Sequence, residues 1–498
     1  MAQWQGRSRG TKRFKQRRWI QGLLLSLVLT PWRGIARDER VSPPDSNETS
    51  PTAARTSGIQ LRRGEFYFRV DGTQALLLGR NVTGPTVEAF GKIFQSVRDS
   101  GERIARIHLD HGLPASKTAG RVDERWAAQW ERVFDLAQSN GIHVLPVFSV
   151  WAEWNDGSRS EQWHNWNKNP YNAANGGPAK RPSDLFADTP CRKLWLSWLG
   201  SLAGRWQSRR NIVGWEIFSE LNLVTGATED AAAEFVRVAA RTIRAADLHW
   251  RPITASLAGI KNWPKVFGID ALDFIQVHPY AEPSRFKGNL DEMILQSVRE
   301  RLRRYGKPVF IGECGLDARG FRDTLADNPR VRIGIQHAIW ASTVSGAMDG
   351  RMLWWEDGYG RFQRRDYYAQ FDQVAAPVAR FVEGVDFAGF RPIATTDSRE
   401  ILGGAIGNER LVLGWFRDAR CAPPDWPVRR VEGQSVTLGI PGIEPQWNVE
   451  FCDTASSVSL GSLSVCREGR RLTIPLPPFQ DSIAFKARSN PRLPRRRE

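Results

Sequence analysis

Short apolar segments alternate with amphipathic segments between residues 59 and 384. The apolar segments are short and rich in branched residues, as buried strands are, whereas the amphipathic segments have the spacing of helices. Several predicted helices end in glycine, as at Ser100-Gly101 and Asn140-Gly141, and glycine commonly follows the last helical residue. The eight predicted strands comprise residues 75–79, 104–109, 143–148, 212–218, 252–256, 274–277, 308–311 and 352–355.

Eight strands with helices between them predict an α/β fold, a (β/α)8 TIM barrel over residues 59–384. A doubly wound open sheet is the structural alternative, but no glycine-rich phosphate-binding turn follows the first strand. In a barrel the carboxyl ends of all strands meet at one mouth, where the active sites of this fold lie. The residues that end each strand are therefore the first candidates for chemistry.

The pattern changes over residues 385–488, where short β-type segments are separated by Gly, Pro and Asp. This pattern predicts a small antiparallel β-sandwich, an accessory domain that packs against the barrel and stabilises it. Residues 489–498 form a basic tail. Cys421, Cys452 and Cys466 allow one disulfide in an oxidising compartment, but their spacing does not select the pair.

A strongly basic stretch at the N-terminus precedes an apolar run over residues 19–29, which Pro31 ends. The run is short for a membrane-spanning helix, which needs ~20 apolar residues. Residues 1–37 are therefore predicted to be a signal peptide or an N-terminal membrane anchor. Residues 38–58 contain much Pro, Ser and Thr and are predicted to be a flexible linker. The expected location is secreted, periplasmic or at the cell surface.

The formal net charge of +16 raises the possibility of nucleic-acid binding. Much of the positive charge lies in the two terminal segments, however, and the two signs are mixed between them. Without a basic stripe interleaved with aromatic residues, no nucleic-acid partner is expected. The 21 tryptophans suggest flat faces for a ligand as well as core packing.

Two carboxylates stand at the ends of predicted strands that lie on opposite sides of the ring. Glu220 follows the fourth strand and Glu313 follows the seventh. A pair of facing carboxyl groups can cleave a glycosidic bond, with one as proton donor and the other as nucleophile, ~5–5.5 Å apart in retaining enzymes. This chemistry needs no cofactor, and no His/Asp cluster has the spacing of metal ligands.

Residues 214–222 and 307–315, which contain these glutamates, resemble the signatures of clan A glycoside hydrolases. They are most similar to the mannanase- and cellulase-like members of family 5. The resemblance implies retaining double displacement on a β-linked polysaccharide or oligosaccharide of the mannan or glucan type. It assigns Glu220 as acid/base and Glu313 as nucleophile. A monomer is expected, and the predicted sandwich also resembles a domain appended to such barrels.

The resemblance extends to the ends of other predicted strands. Arg106 matches the second-strand arginine that supports the nucleophile. His278 and Tyr280 match a sixth-strand pair in which the histidine lines the site and the tyrosine hydroxyl bonds the nucleophile. Trp354 and Trp355 match the eighth-strand tryptophan that forms the floor under the bound sugar.

One residue departs from the family pattern. Ser219 stands directly before the acid/base, where the family usually has an asparagine that holds the sugar 2-hydroxyl. Contacts to this hydroxyl can contribute several kcal/mol in the transition state. Ser219 is therefore a substrate-binding candidate, and its shorter side chain is expected to reach the sugar through a water. The departure motivates one alternative to hydrolysis, a carbohydrate-binding barrel without turnover. A second alternative is a transglycosylase, because that reaction uses the same two carboxylates. Glu216 is expected to form a buried ion pair with an arginine.

The segment after the third predicted strand is rich in aromatic residues. It contains Trp151, Trp154, Trp163, His164 and Trp166. Exposed tryptophan faces stack on sugar rings, so this segment is predicted to form one wall of a polymer cleft and to favour a mannan-type substrate. The alternative is an ordered loop that packs its own aromatic side chains.

Overall fold

A computed structural model of the chain describes residues 59–110, 113, 118–157, 165–281, 289–316, 330–352, 365–396, 398–423 and 425–490. The predicted N-terminal segment 1–37, the linker 38–58 and most of the basic tail lie outside these residues, so they stay predictions. Within the described ranges, no helix combines the length and the apolar character that crossing a bilayer requires.

The chain enters the described part through an antiparallel hairpin of β1 (Phe68–Val70) and β2 (Thr73–Ala75). Eight barrel strands follow, each with a helix after it. The strands are β3 (Leu77–Asn81), β4 (Ile104–His108), β5 (His143–Val147), β6 (Trp215–Glu216), β7 (Ile253–Thr254), β8 (Ile275–Val277), β10 (Val309–Ile311) and β12 (Asp349–Arg351). Beyond the ends of β8 and β10, a short parallel pair forms from β9 (Tyr280–Ala281) and β11 (Gly315–Leu316).

The helices that follow the barrel strands are α1 (Val87–Asp99), α2 (Glu124–Ser139), α3 (Pro190–Trp206), α4 (Glu229–Ala246), α5 (Pro264–Phe267), α6 (Leu290–Tyr305), α7 (Val331–Ser345) and α8 (Arg365–Val382). Hydroxyl and carboxyl side chains begin four of them by accepting a backbone N–H of the first turn. These caps are Thr86, Asp123, Thr189 and Thr228. The alternation of strands and helices confirms the predicted (β/α)8 barrel.

Parallel ladders and single backbone hydrogen bonds close the ring. Six strands pair in the order β12-β3-β4-β5-β6-β7, and β8 pairs with β10. The N–H of Asp273 donates to the carbonyl of Ile253 at 2.9 Å, and that of Met348 donates to Val309 at 2.9 Å. These bonds link the two groups of strands, so the carboxyl ends of all eight meet at one mouth.

The first and last barrel strands differ from their predicted positions. The first spans Leu77–Asn81 instead of residues 75–79, and the last begins at Asp349 instead of residue 352. Residues 353–355 of the predicted eighth strand lie outside the described residues. Asp349 interrupts the apolar pattern, yet it is buried and accepts the Ile311 N–H at 2.8 Å. A search for apolar runs does not detect a buried carboxyl group that accepts a hydrogen bond from the backbone.

Tryptophans fill the space between the barrel and its helices. Trp130 of α2 meets Phe90 of α1 edge to face at 5.4 Å, and Phe134 meets Trp206 of α3 at 5.2 Å. Phe148 stacks on Trp215 at 5.4 Å, which joins this layer to the barrel wall. Core packing therefore accounts for many of the tryptophans.

The C-terminal strands are β13 (Arg391–Thr396), β14 (Ile401–Gly407), β15 (Leu411–Asp418), β16 (Arg430–Val431), β17 (Ser435–Gly439), β18 (Gln446–Asp453), β19 (Ser459–Cys466), β20 (Arg471–Pro475), β21 (Phe479–Gln480) and β22 (Ser482–Ser489). Eight of them form one antiparallel sheet in the order β19-β18-β22-β15-β14-β13-β17-β20. Strand β13 pairs with β14 through residues 391–393 and with β17 through residues 394–396. The sheet therefore bends at β13, and its two parts enclose a second apolar core that includes Trp447 and Phe485, as the predicted sandwich requires.

This C-terminal domain packs against barrel helices α6 and α7. From α7, Trp340 Nε1 donates to the Thr454 carbonyl at 3.1 Å, and Gln336 Nε2 donates to the Thr454 hydroxyl at 3.0 Å. Arg417 of β15 pairs with Asp291 and Glu292 in the first turn of α6. The two folded parts therefore share buried polar contacts as well as apolar surface.

Candidate active site

Ionisable side chains from the ends of four strands meet at the mouth of the barrel. Arg106 lies in β4, Glu220 follows β6, His278 follows β8 and Glu313 follows β10. Each of these residues is at least nine-tenths buried. An apolar strand leads into each of these positions, and the ring turns the strand ends towards one another. The structure thus brings together four residues that are far apart in the sequence.

The two glutamates approach each other closely, with His278 between them. One carboxyl oxygen of each glutamate and a ring nitrogen of His278 lie within 4.8 Å of one another. His278 Nδ1 is 2.9 Å from Glu220 Oε1 and 3.7 Å from Glu313 Oε2. A separation of this size is close to the ~5–5.5 Å found between the carboxyl groups of retaining glycosidases and shorter than the ~6.5–9.5 Å of inverting ones.

Glu313 is surrounded by groups that favour its ionised form. Arg106 Nη1 donates to Oε1 at 2.8 Å, and the Tyr280 hydroxyl donates to Oε2 at 2.8 Å. Burial opposes ionisation, but His278, Arg106 and the Tyr280 hydrogen bond together lower the pKa of Glu313 below its ordinary value. The side chain is therefore suited to act as a carboxylate.

The pKa of Glu220 is shifted in the opposite direction. Burial raises its pKa, and the negative charge of Glu313 raises it further, while His278 and Arg106 only partly offset these effects. Two carboxyl groups of one chemical type thus have pKa values shifted in opposite directions, the pattern expected for a proton donor beside a nucleophile.

Arg106 is fixed by a buried network. Nε and Nη2 donate to the two oxygens of Glu216 at 2.7 and 2.8 Å, which is the ion pair predicted for Glu216. Nη1 also donates to Asn81 Oδ1 at 2.9 Å, and Asn81 Nδ2 donates to the Gly312 carbonyl at 2.9 Å. Asn81 thereby ties the arginine to the residue before Glu313. Asn81 was not among the predicted site residues, because the first predicted strand ended at residue 79 and the observed strand continues to Asn81.

The structure does not support the predicted sugar contact of Ser219. Its side chain is completely buried, and its hydroxyl accepts a hydrogen bond from Arg106 Nη2 at 2.9 Å. The residue extends the arginine network instead of facing the cavity. Its backbone carbonyl accepts the N–H of Trp151 at 3.1 Å, which fastens the aromatic loop to the site.

The aromatic loop mostly packs on itself. Trp154 is 2 % exposed, with its ring 5.7 Å from that of Trp166 and 5.3 Å from that of Tyr171. The prediction that Trp154 offers an open stacking face is therefore wrong, because the loop buries this ring. Trp151 remains partly exposed. Trp163, His164, Trp354 and Trp355 lie outside the described residues.

Glu220, His278 and Glu313 also have the spacing of metal ligands. Both oxygens of Glu313 already accept hydrogen bonds, however, and one donor is the fully buried Arg106 guanidinium. A cation at this point would compete with those donors for the Glu313 oxygens and lie beside a permanent positive charge. The donor set therefore suits two carboxyl groups with different charges better than a metal ion.

A family model described as Cellulase (glycosyl hydrolase family 5) matches residues 79–345. A solved structure of a glycoside hydrolase family 5 protein from Bacteroides vulgatus is similar, with 12 % identity, TM-score 0.59 and coverage of 87 % of this chain and 94 % of that chain. A putative glycoside hydrolase from the same organism is also similar, with 11 % identity and a TM-score of 0.54. The match covers 88 % of this chain and 83 % of that chain. A glycoside hydrolase family 30 xylanase from Clostridium acetobutylicum is similar with 12 % identity and a TM-score of 0.51. This match covers 84 % of this chain and 97 % of that chain.

A comparison with curated protein sequences finds no match. The structural similarities lie at low sequence identity, so they show the shared fold and nothing of the substrate. The family model, in contrast, covers more than half of the chain and includes Arg106, Glu220, His278 and Glu313. The chain belongs to glycosyl hydrolase family 5.

Proposed function

We propose that this glycoside hydrolase cleaves β-linked glycans of the glucan or mannan type with retention of configuration. The observation that carries the proposal is the pair of carboxyl groups within 4.8 Å, with pKa values shifted in opposite directions. Retaining enzymes need a short separation because the nucleophile itself must reach the anomeric carbon.

In the first step, Glu313 attacks the anomeric carbon while the bond to the leaving oxygen breaks. Glu220 gives its proton to that oxygen, and a glycosyl ester forms on Glu313. In the second step, Glu220, now a carboxylate, takes a proton from water as the water attacks the anomeric carbon. The ester bond breaks, Glu313 leaves as a carboxylate, and both side chains regain their starting charges.

The two pKa shifts predict a bell-shaped pH dependence of kcat/KM. Glu313 must be ionised, so activity falls as the pH decreases through its lowered pKa. Glu220 must be protonated, so activity falls as the pH rises through its elevated pKa. The Glu220→Gln variant should lose the alkaline limb of the profile.

The direct test uses a panel of soluble β-mannans, β-glucans and xylans. Glu313→Gln should lower kcat by at least ~10³-fold, because it removes the nucleophile. Glu220→Ala should lose most of its activity, and azide should restore turnover by forming a glycosyl azide of retained configuration. Glu234→Gln, on the exposed side of α4, is the matched control and should behave as the native chain does.

Product analysis separates the alternatives. The first product detected by NMR should have the β configuration at its new reducing end. Glycan binding without product would favour a carbohydrate-binding barrel, and extended oligosaccharides at high acceptor concentration would favour a transglycosylase. Near-native rates in both glutamate variants would disprove the assignment.

A further inference from the structure

Ser256 lies just beyond the end of β7 and forms hydrogen bonds with the backbone at Glu220 and on either side of it. Its hydroxyl accepts the N–H of Glu220 at 3.0 Å. Its carbonyl accepts the N–H of Leu221 at 3.1 Å, and its own N–H donates to the Phe218 carbonyl at 3.1 Å. Because Ser256 is completely buried, no water can take over these contacts. One residue thus holds the chain before, at and after Glu220.

The backbone of Glu220 needs such support. Its φ of 63° and ψ of 51° place it in the left-handed region, which is unfavourable for a residue with a Cβ atom. A conformation of this kind persists where the surrounding structure fixes it, and it determines the direction of the side chain. The hydrogen bond from the Glu220 N–H to Ser256 is part of that constraint.

The same hydroxyl also links the two catalytic candidates. Besides accepting from Glu220, Ser256 Oγ donates to Glu216 Oε1 at 3.0 Å. Glu216 binds Arg106 through both carboxyl oxygens, and Arg106 donates to Glu313. A continuous buried path of hydrogen bonds therefore runs from the backbone of Glu220 to the carboxylate of Glu313.

We propose that Ser256 is a positioning residue that orients Glu220 towards the leaving oxygen. The inference rests on the proposed function, because it takes Glu220 as the proton donor. Only a side chain that accepts and donates at the same atom satisfies both contacts, so threonine can replace Ser256 chemically and alanine cannot. The hydroxyl touches no reacting atom and acts through Glu220.

The test compares kcat/KM for two aryl β-glycosides of the sugar that the glycan panel identifies. A dinitrophenyl leaving group departs without a proton, whereas an unsubstituted phenol needs one from Glu220. Ser256→Ala should lower kcat/KM about tenfold or more on the phenyl glycoside and less than about twofold on the dinitrophenyl glycoside, because only the former depends on general acid catalysis. Ser256→Thr should restore most of the loss.

Thr254→Val is the matched control. Thr254 lies two residues earlier, at the end of β7, and is equally buried. Its hydroxyl contacts Gln276 at 3.5 Å rather than Glu216 or Glu220. This variant should change both substrates by the same small factor. If thermal denaturation shows that Ser256→Ala does not fold, Ser256→Cys takes its place, because it has a similar shape but forms only weak hydrogen bonds. The same difference between the two substrates is expected.

Glu220→Ala, measured on the same two substrates, separates the possible failures. If this variant shows no dependence on the leaving group, the proposed role of Glu220 is wrong. If Glu220→Ala shows the dependence but the Ser256 variants lose activity equally on both substrates, or lose none, the positioning role is overturned and the proposed function stands.

Discussion

Glu220 and Glu313 have the same side chain, so their neighbours decide which of them holds a proton. Glu313 has an arginine and a tyrosine hydroxyl on its two oxygens, whereas Glu220 has His278 and faces the charge of Glu313. Each donor on Glu313 stabilises the carboxylate more than the protonated acid. Removing one donor should therefore change the pH at which Glu313 ionises.

The Tyr280→Phe substitution tests this consequence. The pKa of Glu313 should rise because its carboxylate loses one hydrogen bond, and the acid limb of kcat/KM should move to higher pH. We expect activity at the optimum to fall roughly 10- to 100-fold, since a hydrogen bond to a charged group contributes roughly 1.5–3 kcal/mol. Initial rates across a pH series measure both effects.

Tyr171→Phe is the control for this substitution. Tyr171 accepts the Gly120 N–H at 3.1 Å and packs on Trp154, without a contact to Glu313. Its removal should leave the acid limb where it is, even if stability changes. An unaltered acid limb in Tyr280→Phe would show that the tyrosine does not stabilise the Glu313 charge.

The sequence predicts residues at strand ends better than the contacts between them. The opposed glutamates and the Glu216 ion pair follow from their positions after or within apolar strands. Ser219 and Trp154 were misjudged because their exposure depends on a neighbouring strand and on the packing of a loop. Ser256 was not identified although it ends the fifth predicted strand, since a serine there has no distinguishing pattern until the neighbouring strand is known.

At the scale of elements, the end of β10 can carry Glu313 only because the preceding residue is glycine. A Cβ atom on Gly312 would lie 1.9 Å from Gln276 Oε1 and 2.6 Å from His278 Nε2. Strands β8 and β10 thus approach so closely that no side chain fits between His278 and the backbone before Glu313. The glycine lets both strand ends contribute to one site.

Gly312→Ala should therefore reduce activity through His278. Overpacking of this kind costs roughly 1–3 kcal/mol, and relief requires movement of Gln276 or of the histidine. Thermal denaturation measures the loss of stability, and kcat measures the loss of activity.

Gly91→Ala, within α1, is the control because its Cβ would meet Leu136 at 3.6 Å, an ordinary contact. That variant should keep its activity and gain roughly 0.5–1 kcal/mol in stability. An active, undisturbed Gly312→Ala would contradict the close approach.

The order of strands and helices could be predicted because apolar periodicity and helix caps are local signals. Strand boundaries were predicted less accurately, as β12 shows. Its first residue, Asp349, is a buried carboxyl that accepts the Ile311 N–H and takes part in closing the ring. Such a contact joins elements that are distant in sequence, so periodicity alone does not detect it.

At the scale of the whole molecule, the barrel and the C-terminal domain are joined by buried charge. Arg417 of β15 is 1 % exposed, and it donates to Asp291, which is 6 % exposed, and to Glu292 at 2.8 Å. A charge taken out of water depends on its partner much more than a surface charge does. The C-terminal domain should therefore unfold together with the barrel rather than as an independent appendage.

Arg417→Met tests this coupling, because it leaves Asp291 buried without its main partner. We expect the free energy of unfolding to fall by roughly 3–5 kcal/mol, the usual effect of breaking a buried ion pair from one side. Urea denaturation followed by tryptophan fluorescence should show one transition in the native chain, since Trp340 of the barrel and Trp415 of the sheet lie in one continuous core. Arg430→Gln, which breaks an exposed pair with Glu432, should leave the midpoint nearly unchanged. Two separate transitions in the native chain would mean that the two domains are stable independently. Equal midpoints for the Arg417→Met and Arg430→Gln variants would mean that the Arg417 contacts do not join the domains.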